Sequence, residues 1–74
     1  MEGDLQRAVG DNLRAYRDAR GLTQEGFADV FGWDRTYMGK LERGECNLTL
    51  RTLERYASVI ELNPIALLRR ESQS

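Results

Sequence analysis

The sequence predicts an all-α chain of five short helices. Three observations carry that expectation: apolar residues recur at spacings of three and four along each run, a residue able to cap a helix stands before each run, and glycine or proline punctuates the gaps. No stretch alternates with the period of two that a strand requires, and no segment repeats.

The first helix is expected over residues 5–20. Leu5, Val9, Leu13, Tyr16 and Ala19 fall on one side of it, Asp4 can cap its first turn, and Gly21 closes it. Thr23 then offers a side-chain oxygen to the free amides of a second helix, 24–31, whose inward set is Phe27, Ala28 and Phe31 and which Gly32 ends. Gly26 inside that helix costs about 1 kcal/mol relative to alanine, so packing must supply the element's stability. Asp34 caps the third helix, 35–43, and Gly44 stops it. Met38 and Leu41 point inward with Tyr37 at their edge, which leaves Arg35, Thr36, Gly39, Lys40 and Arg43 on the opposite arc. Gly39 carries two readings of equal weight, close approach by another surface or clearance for a neighbouring helix.

Past the loop Glu45-Cys46-Asn47-Leu48, Thr49 caps a fourth helix, 50–61, with Leu50, Leu53, Ala57 and Ile60 in helical register. Asn63 as cap and Pro64 in the first helical position open a fifth helix, 64–70, followed by a polar tail over 71–74. Ile65, Leu67 and Leu68 exceed what one inward stripe needs. Together with Leu62 they are the candidates for a dimer surface, because their excess apolar area would otherwise face water.

Size and composition narrow the function classes. A chain of 74 residues makes one domain with one small core, and such cores usually lean on a disulfide, a metal or a partner subunit. One cysteine, Cys46, and no histidine argue against the first two, so self-association is the expected support and no metal or cofactor is expected. Cys46 reads as an ordinary loop residue of a reducing cytoplasm. The polar start and the absence of an apolar run of about 20 residues point to a soluble cytoplasmic protein with no membrane partner. Catalysis is not expected: there is no histidine, no nucleophile beside a base and no phosphate-cradling glycine loop.

A net charge of −1 from 11 basic and 12 acidic residues excludes a broad, non-specific attraction to nucleic acid. It leaves specific binding open, since screening confines each charge to about 8–10 Å. Arg35, Lys40, Arg43, Arg51 and Arg55 crowd the middle of the chain, whereas Glu2, Asp4, Asp11 and Asp18 lie toward its start, so one basic face is expected. The second and third helices, joined by a glycine turn, have the layout that holds one helix in the DNA major groove. An arginine there matches guanine O6 and N7 with two planar donors, worth about 1–3 kcal/mol of discrimination, and a threonine methyl can touch thymine. Lys40 lies roughly one and a half turns beyond Arg35 and reaches a different base. Gln24, beside the free amides of a helix start, can join them around a phosphate oxygen. A short charged run alone is usually a solvated face, and the two-helix spacing with its caps outweighs that account here.

The pattern from Val9-Gly10-Asp11-Asn12-Leu13-Arg14 through Arg17, Gly21-Leu22-Thr23-Gln24, Ala28, Gly32, Leu41-Glu42-Arg43-Gly44 and Leu62-Asn63-Pro64 resembles the Cro/C1-type helix-turn-helix regulators, the xenobiotic response element family. Asp34-Arg35-Thr36-Tyr37 and Asn47-Leu48-Thr49-Leu50 further resemble the stand-alone controller proteins of restriction-modification systems. The resemblance implies a compact five-helix, lambda-repressor-like domain that binds double-stranded operator DNA as a homodimer. It implies base contacts from Arg35, Thr36 and Lys40, a base or backbone contact from Tyr37, backbone contacts from Gln24, Arg43 and Asn47, and a structural ion pair between Arg17 and Glu42. Two positions depart from the family pattern: Trp33 stands where a smaller aliphatic residue is usual, and Gly26 where a polar helix former is usual. Core packing is the expectation for Trp33.

A dimeric, sequence-specific transcription regulator acting on a pseudo-palindromic operator is therefore the leading expectation. The alternatives are an antitoxin-type regulator that also grips a toxin, and a protein-interaction module without DNA binding. Nothing in the sequence reads as a sensor, so no small-molecule ligand is expected.

Overall fold

The computed structural model describes residues 3–69. Within them run α1 (Asp4–Ala19), α2 (Gln24–Phe31), α3 (Arg35–Glu42), α4 (Leu50–Val59) and α5 (Pro64–Leu68), with no strand among the described residues. The fifth helix ends at Leu68, with Arg69 already extended, short of the expected residue 70; residue 70 and the tail over 71–74 lie outside the described residues.

Local chemistry starts the helices much as their sequences dictate. The Thr23 side chain accepts from the Gly26 amide, Asp34 from Tyr37, Thr49 from Thr52 and Asn63 from Ile65, all at 2.9–3.0 Å. The first helix is the exception. Its cap is Gly3 in the left-handed region with no side-chain bond, and Asp4 is the first helical residue, placing its negative charge in the turn where the helix dipole favours it. The fourth helix stops earlier than its apolar register predicts: Glu61 turns left-handed at φ 59°, and the Leu62 amide bonds back to the Ala57 carbonyl.

Val9 and Leu13 of α1, Phe27 and Ala28 of α2, Met38 and Leu41 of α3, Leu53, Tyr56 and Ala57 of α4, Ile60 and Leu67 form one core. Every aromatic residue of the chain joins a continuous series through it. Tyr16 stacks on Phe27 at 5.8 Å, Phe27 meets Phe31 edge-on at 5.0 Å, and Phe31 stacks on Trp33 at 4.3 Å. Trp33 then meets Tyr56 at 4.4 Å and Tyr37 at 4.9 Å. The indole thus packs against the core, and such pairs add about 0.5–1.5 kcal/mol each beyond the area they bury.

Several inward assignments need correction. Leu5 is 58% exposed, Leu50 76%, and Ala19 is exposed as well. Each occupies a terminal turn of its helix. Leu5 and Leu50 flank an open groove that also involves Val9, Leu48, Leu53 and Leu68. Leu67 is corrected in the other direction: it is fully buried, so it has no area to give to a dimer surface.

Two contacts lock α1 against its partners. Its Asn12 amide nitrogen lies 2.8 Å from the carbonyls of Leu67 and Arg69 and 3.2 Å from that of Ala66, so a side chain of α1 satisfies the open carbonyl end of the five-residue α5. Gly10 is buried where α1 crosses α3. A β-carbon there would sit 2.5 Å from the Leu41 carbonyl oxygen and 2.7 Å from that of Glu42. Both are backbone atoms and cannot swing aside. Gly10→Ala is expected to destabilise the fold by roughly 1–3 kcal/mol despite its better helix propensity, which urea unfolding measures directly.

Candidate nucleic-acid interface

The third helix is held from behind by a buried carboxylate. Glu42, 7% exposed, receives Arg17 Nε at 2.8 Å and Arg17 Nη2 at 3.1 Å, while Gln24 Nε2 donates to its Oε1 at 3.0 Å. Arg17 also gives Nη1 to the Leu22 carbonyl at 2.9 Å, which fastens the turn between α1 and α2. Hydrogen bonding to Glu42 pushes the arginine further above its ordinary value and outweighs the burial that opposes it. One side chain from each of the first three helices thus meets at a single fully hydrogen-bonded point.

Gly39 lies buried next to that point. A β-carbon there would come 3.3 Å from Arg43 Nη1, close enough that this side chain would have to shift, and 3.8 Å from Gln24 Oε1, an ordinary contact. Arg35, Thr36 and Lys40 remain exposed along the outer arc of α3, and Arg51 and Arg55 are exposed on α4. The five cations expected to form one basic face, Arg43 included, are all accessible.

The other sequence-derived candidates are more constrained. Arg43 is exposed but already engaged, giving Nε and Nη2 to the two carboxylate oxygens of Glu45 at 3.0 and 3.2 Å. That hydrogen bonding holds the Glu45 carboxyl below its usual range. Asn47 is exposed and accepts from Gln6 Nε2 at 3.4 Å. Tyr37 is half-buried, and its hydroxyl shares a 2.9 Å hydrogen bond with that of buried Tyr56. Of the residues named for a dimer surface, Ile65 is 64% exposed, whereas Leu62 and Leu68 are half-buried against the core. Sequence reasoning missed Glu45, Asn12 and Tyr56. A carboxylate two positions from Arg43 was the one available local signal; the other two act across long stretches of chain.

A short helix with a polar outer arc, braced by a second helix across a glycine turn, makes this a helix-turn-helix protein with a lambda-repressor-like fold. The chain belongs to the helix-turn-helix family of DNA-binding transcription regulators, whose helix-turn-helix domain model matches residues 8–70. It is 38% identical over 68 residues to the control protein C.SmaI of Serratia marcescens, covering 92% of this chain and 81% of that one. Among solved structures it is similar to the restriction-modification controller protein C.AhdI of Aeromonas hydrophila, with 37% identity and a TM-score of 0.68 over 84% of this chain and 90% of that one. It is also similar to the hypothetical transcription factor NHTF from Neisseria, with 33% identity and a TM-score of 0.77 over 93% of this chain and 79% of that one. No helix among the described residues is long and apolar enough to cross a membrane.

Two outcomes follow from the geometry. Arg17→Met leaves the Glu42 carboxylate buried without its cation and is expected to cost about 3–5 kcal/mol, while Arg17→Met with Glu42→Leu recovers most of that loss; denaturant titrations of both variants test this. Burial, and then the bond to Tyr37, raise the Tyr56 phenol above its ordinary value of 10.0. The folded state therefore holds this proton more tightly than the unfolded chain. The resulting stability is complete below pH 10 and lost as pH rises past it, so Tyr56→Phe should flatten the alkaline limb of a stability-against-pH curve.

Proposed function

We propose that this chain is a sequence-specific transcription regulator of the restriction-modification controller kind, acting as a homodimer on a pseudo-palindromic operator. The observation that carries the reading is the exposed arc of Arg35, Thr36 and Lys40 on a helix whose opposite side is pinned to α1 and α2 through Glu42. A probe must hold its angle to read base edges, and this one is fixed by directional bonds. Arg35 and Lys40 read bases, Thr36 supplies a methyl contact, and Tyr37, Gln24, Arg43 and Asn47 address the flanking backbone. Ile65, with Leu62 and Leu68 at its edge, forms the dimer surface, which places two recognition helices about 34 Å apart in successive major grooves. The similarity to C.SmaI and C.AhdI supports the controller assignment.

Selection from a randomised duplex pool should return a two-fold symmetric site bound at two protomers per duplex. On that site Arg35→Ala and Lys40→Ala should each cost about 1–3 kcal/mol and relax the preference at one base pair, while Arg43→Ala reduces the salt slope by at most about one. No preferred sequence at moderate salt, or monomeric binding only, would reject the reading.

A further inference from the structure

Tyr56 is buried on α4, and its only hydrogen-bond partner among the described residues is the hydroxyl of Tyr37 at 2.9 Å. Tyr37 directly follows exposed Thr36 on α3 and is half-buried, less enclosed than Tyr56. Resting on the regulator reading above, we infer that Tyr56 is a positioning residue for DNA binding, donating its hydroxyl proton to Tyr37 so that the Tyr37 hydroxyl is free to donate to a backbone phosphate oxygen.

The direction of the bond follows from burial. A buried O–H left without an acceptor costs the full desolvation of that donor, and Tyr56 is the more buried of the two residues. Tyr56 therefore gives its proton and Tyr37 accepts. The preference of Tyr56 for its protonated form agrees with a donor role. A hydroxyl that accepts one hydrogen bond is polarised into a stronger donor for the next, so the pair forms a relay that ends on the helix carrying Arg35, Thr36 and Lys40. The rings cannot drift from this arrangement, since Trp33 meets Tyr37 at 4.9 Å and Tyr56 at 4.4 Å. The natural acceptor at the edge of a recognition helix is a phosphate, which takes a hydroxyl donor without demanding a particular base.

A double-mutant cycle tests the relay on the duplex that wild-type protein selects from a randomised pool. Tyr37→Phe should weaken binding roughly tenfold or more, the value of a hydrogen bond to a charged acceptor, with no change in salt slope because a neutral donor displaces no counterion. Tyr56→Phe should weaken it roughly two- to fourfold in the wild-type background and leave Tyr37→Phe unchanged. A loss from Tyr56→Phe that is equal in both backgrounds, or absent from the wild-type background, overturns the inference. Should Tyr56→Phe melt below the assay temperature, Tyr37→Phe decides, because it leaves the buried ring in place: unaltered affinity or an altered salt slope overturns the relay. Wild-type protein that selects no duplex overturns both the relay and the regulator reading, whereas selective wild-type binding insensitive to both tyrosine hydroxyls overturns the relay alone.

Discussion

A carboxylate with 7% of its residue surface in water is unstable in a small domain unless its oxygens are occupied, since desolvating an ion costs several kcal/mol. In this chain the occupants of Glu42 arrive from two other helices, the Arg17 guanidinium from α1 and the Gln24 amide from α2. Hydrophobic burial holds helices together but is indifferent to small rotations about their axes. Hydrogen bonds to a charged acceptor are not. The orientation of α3, and hence the direction in which Arg35 and Lys40 project, is set at this point. The absence of a side chain at Gly10 is part of the same construction, because the α1 backbone meets α3 there.

The opposite end of α3 is secured by different chemistry. Trp33 stands in the turn between α2 and α3, stacked on Phe31 and flanked edge-on by Tyr37 and Tyr56. This ties the beginning of α3 to α4 through ring packing and one hydroxyl pair, while Glu42 ties its last residue to α1 and α2. An eight-residue helix is too short to be stable alone. Fastening it at both ends turns it into a rigid element, and its middle and outer arc stay free for contact.

Local physics explains which features were legible in the sequence. Caps at Thr23, Asp34, Thr49 and Asn63 could be read because donor and acceptor lie within three residues of each other. Asn12 could not, since its carbonyl partners lie 54 to 57 residues along the chain. The pairing of Arg17 with Glu42 was named through family resemblance, because spacing alone gives no reason to join positions 25 apart. Periodicity also fails in a helix of five residues: Ile65, Leu67 and Leu68 look alike as a string, yet only Leu67 is fully enclosed. Leu5 and Leu50 mark the converse, apolar residues in register with a buried face that stand exposed in the terminal turns of their helices.

The charge distribution decides what kind of DNA contact this surface can make. Overall charge is −1, and acidic groups stand within the basic arc itself, Asp34 at the cap before Arg35 and Glu45 against Arg43. Long-range attraction is therefore weak, and affinity has to come from directed contacts at short range. The Arg43–Glu45 pair is compatible with that requirement. Both side chains are more than half exposed, and exposed pairs of this kind are worth only about 0–1 kcal/mol, so a phosphate can take over the guanidinium at little cost. Until then the carboxylate occupies the same planar pair of donors a phosphate would use. Under the proposed function, a surface built this way would gain little from duplex that offers only charge, and most where base edges and phosphates fall together under α3.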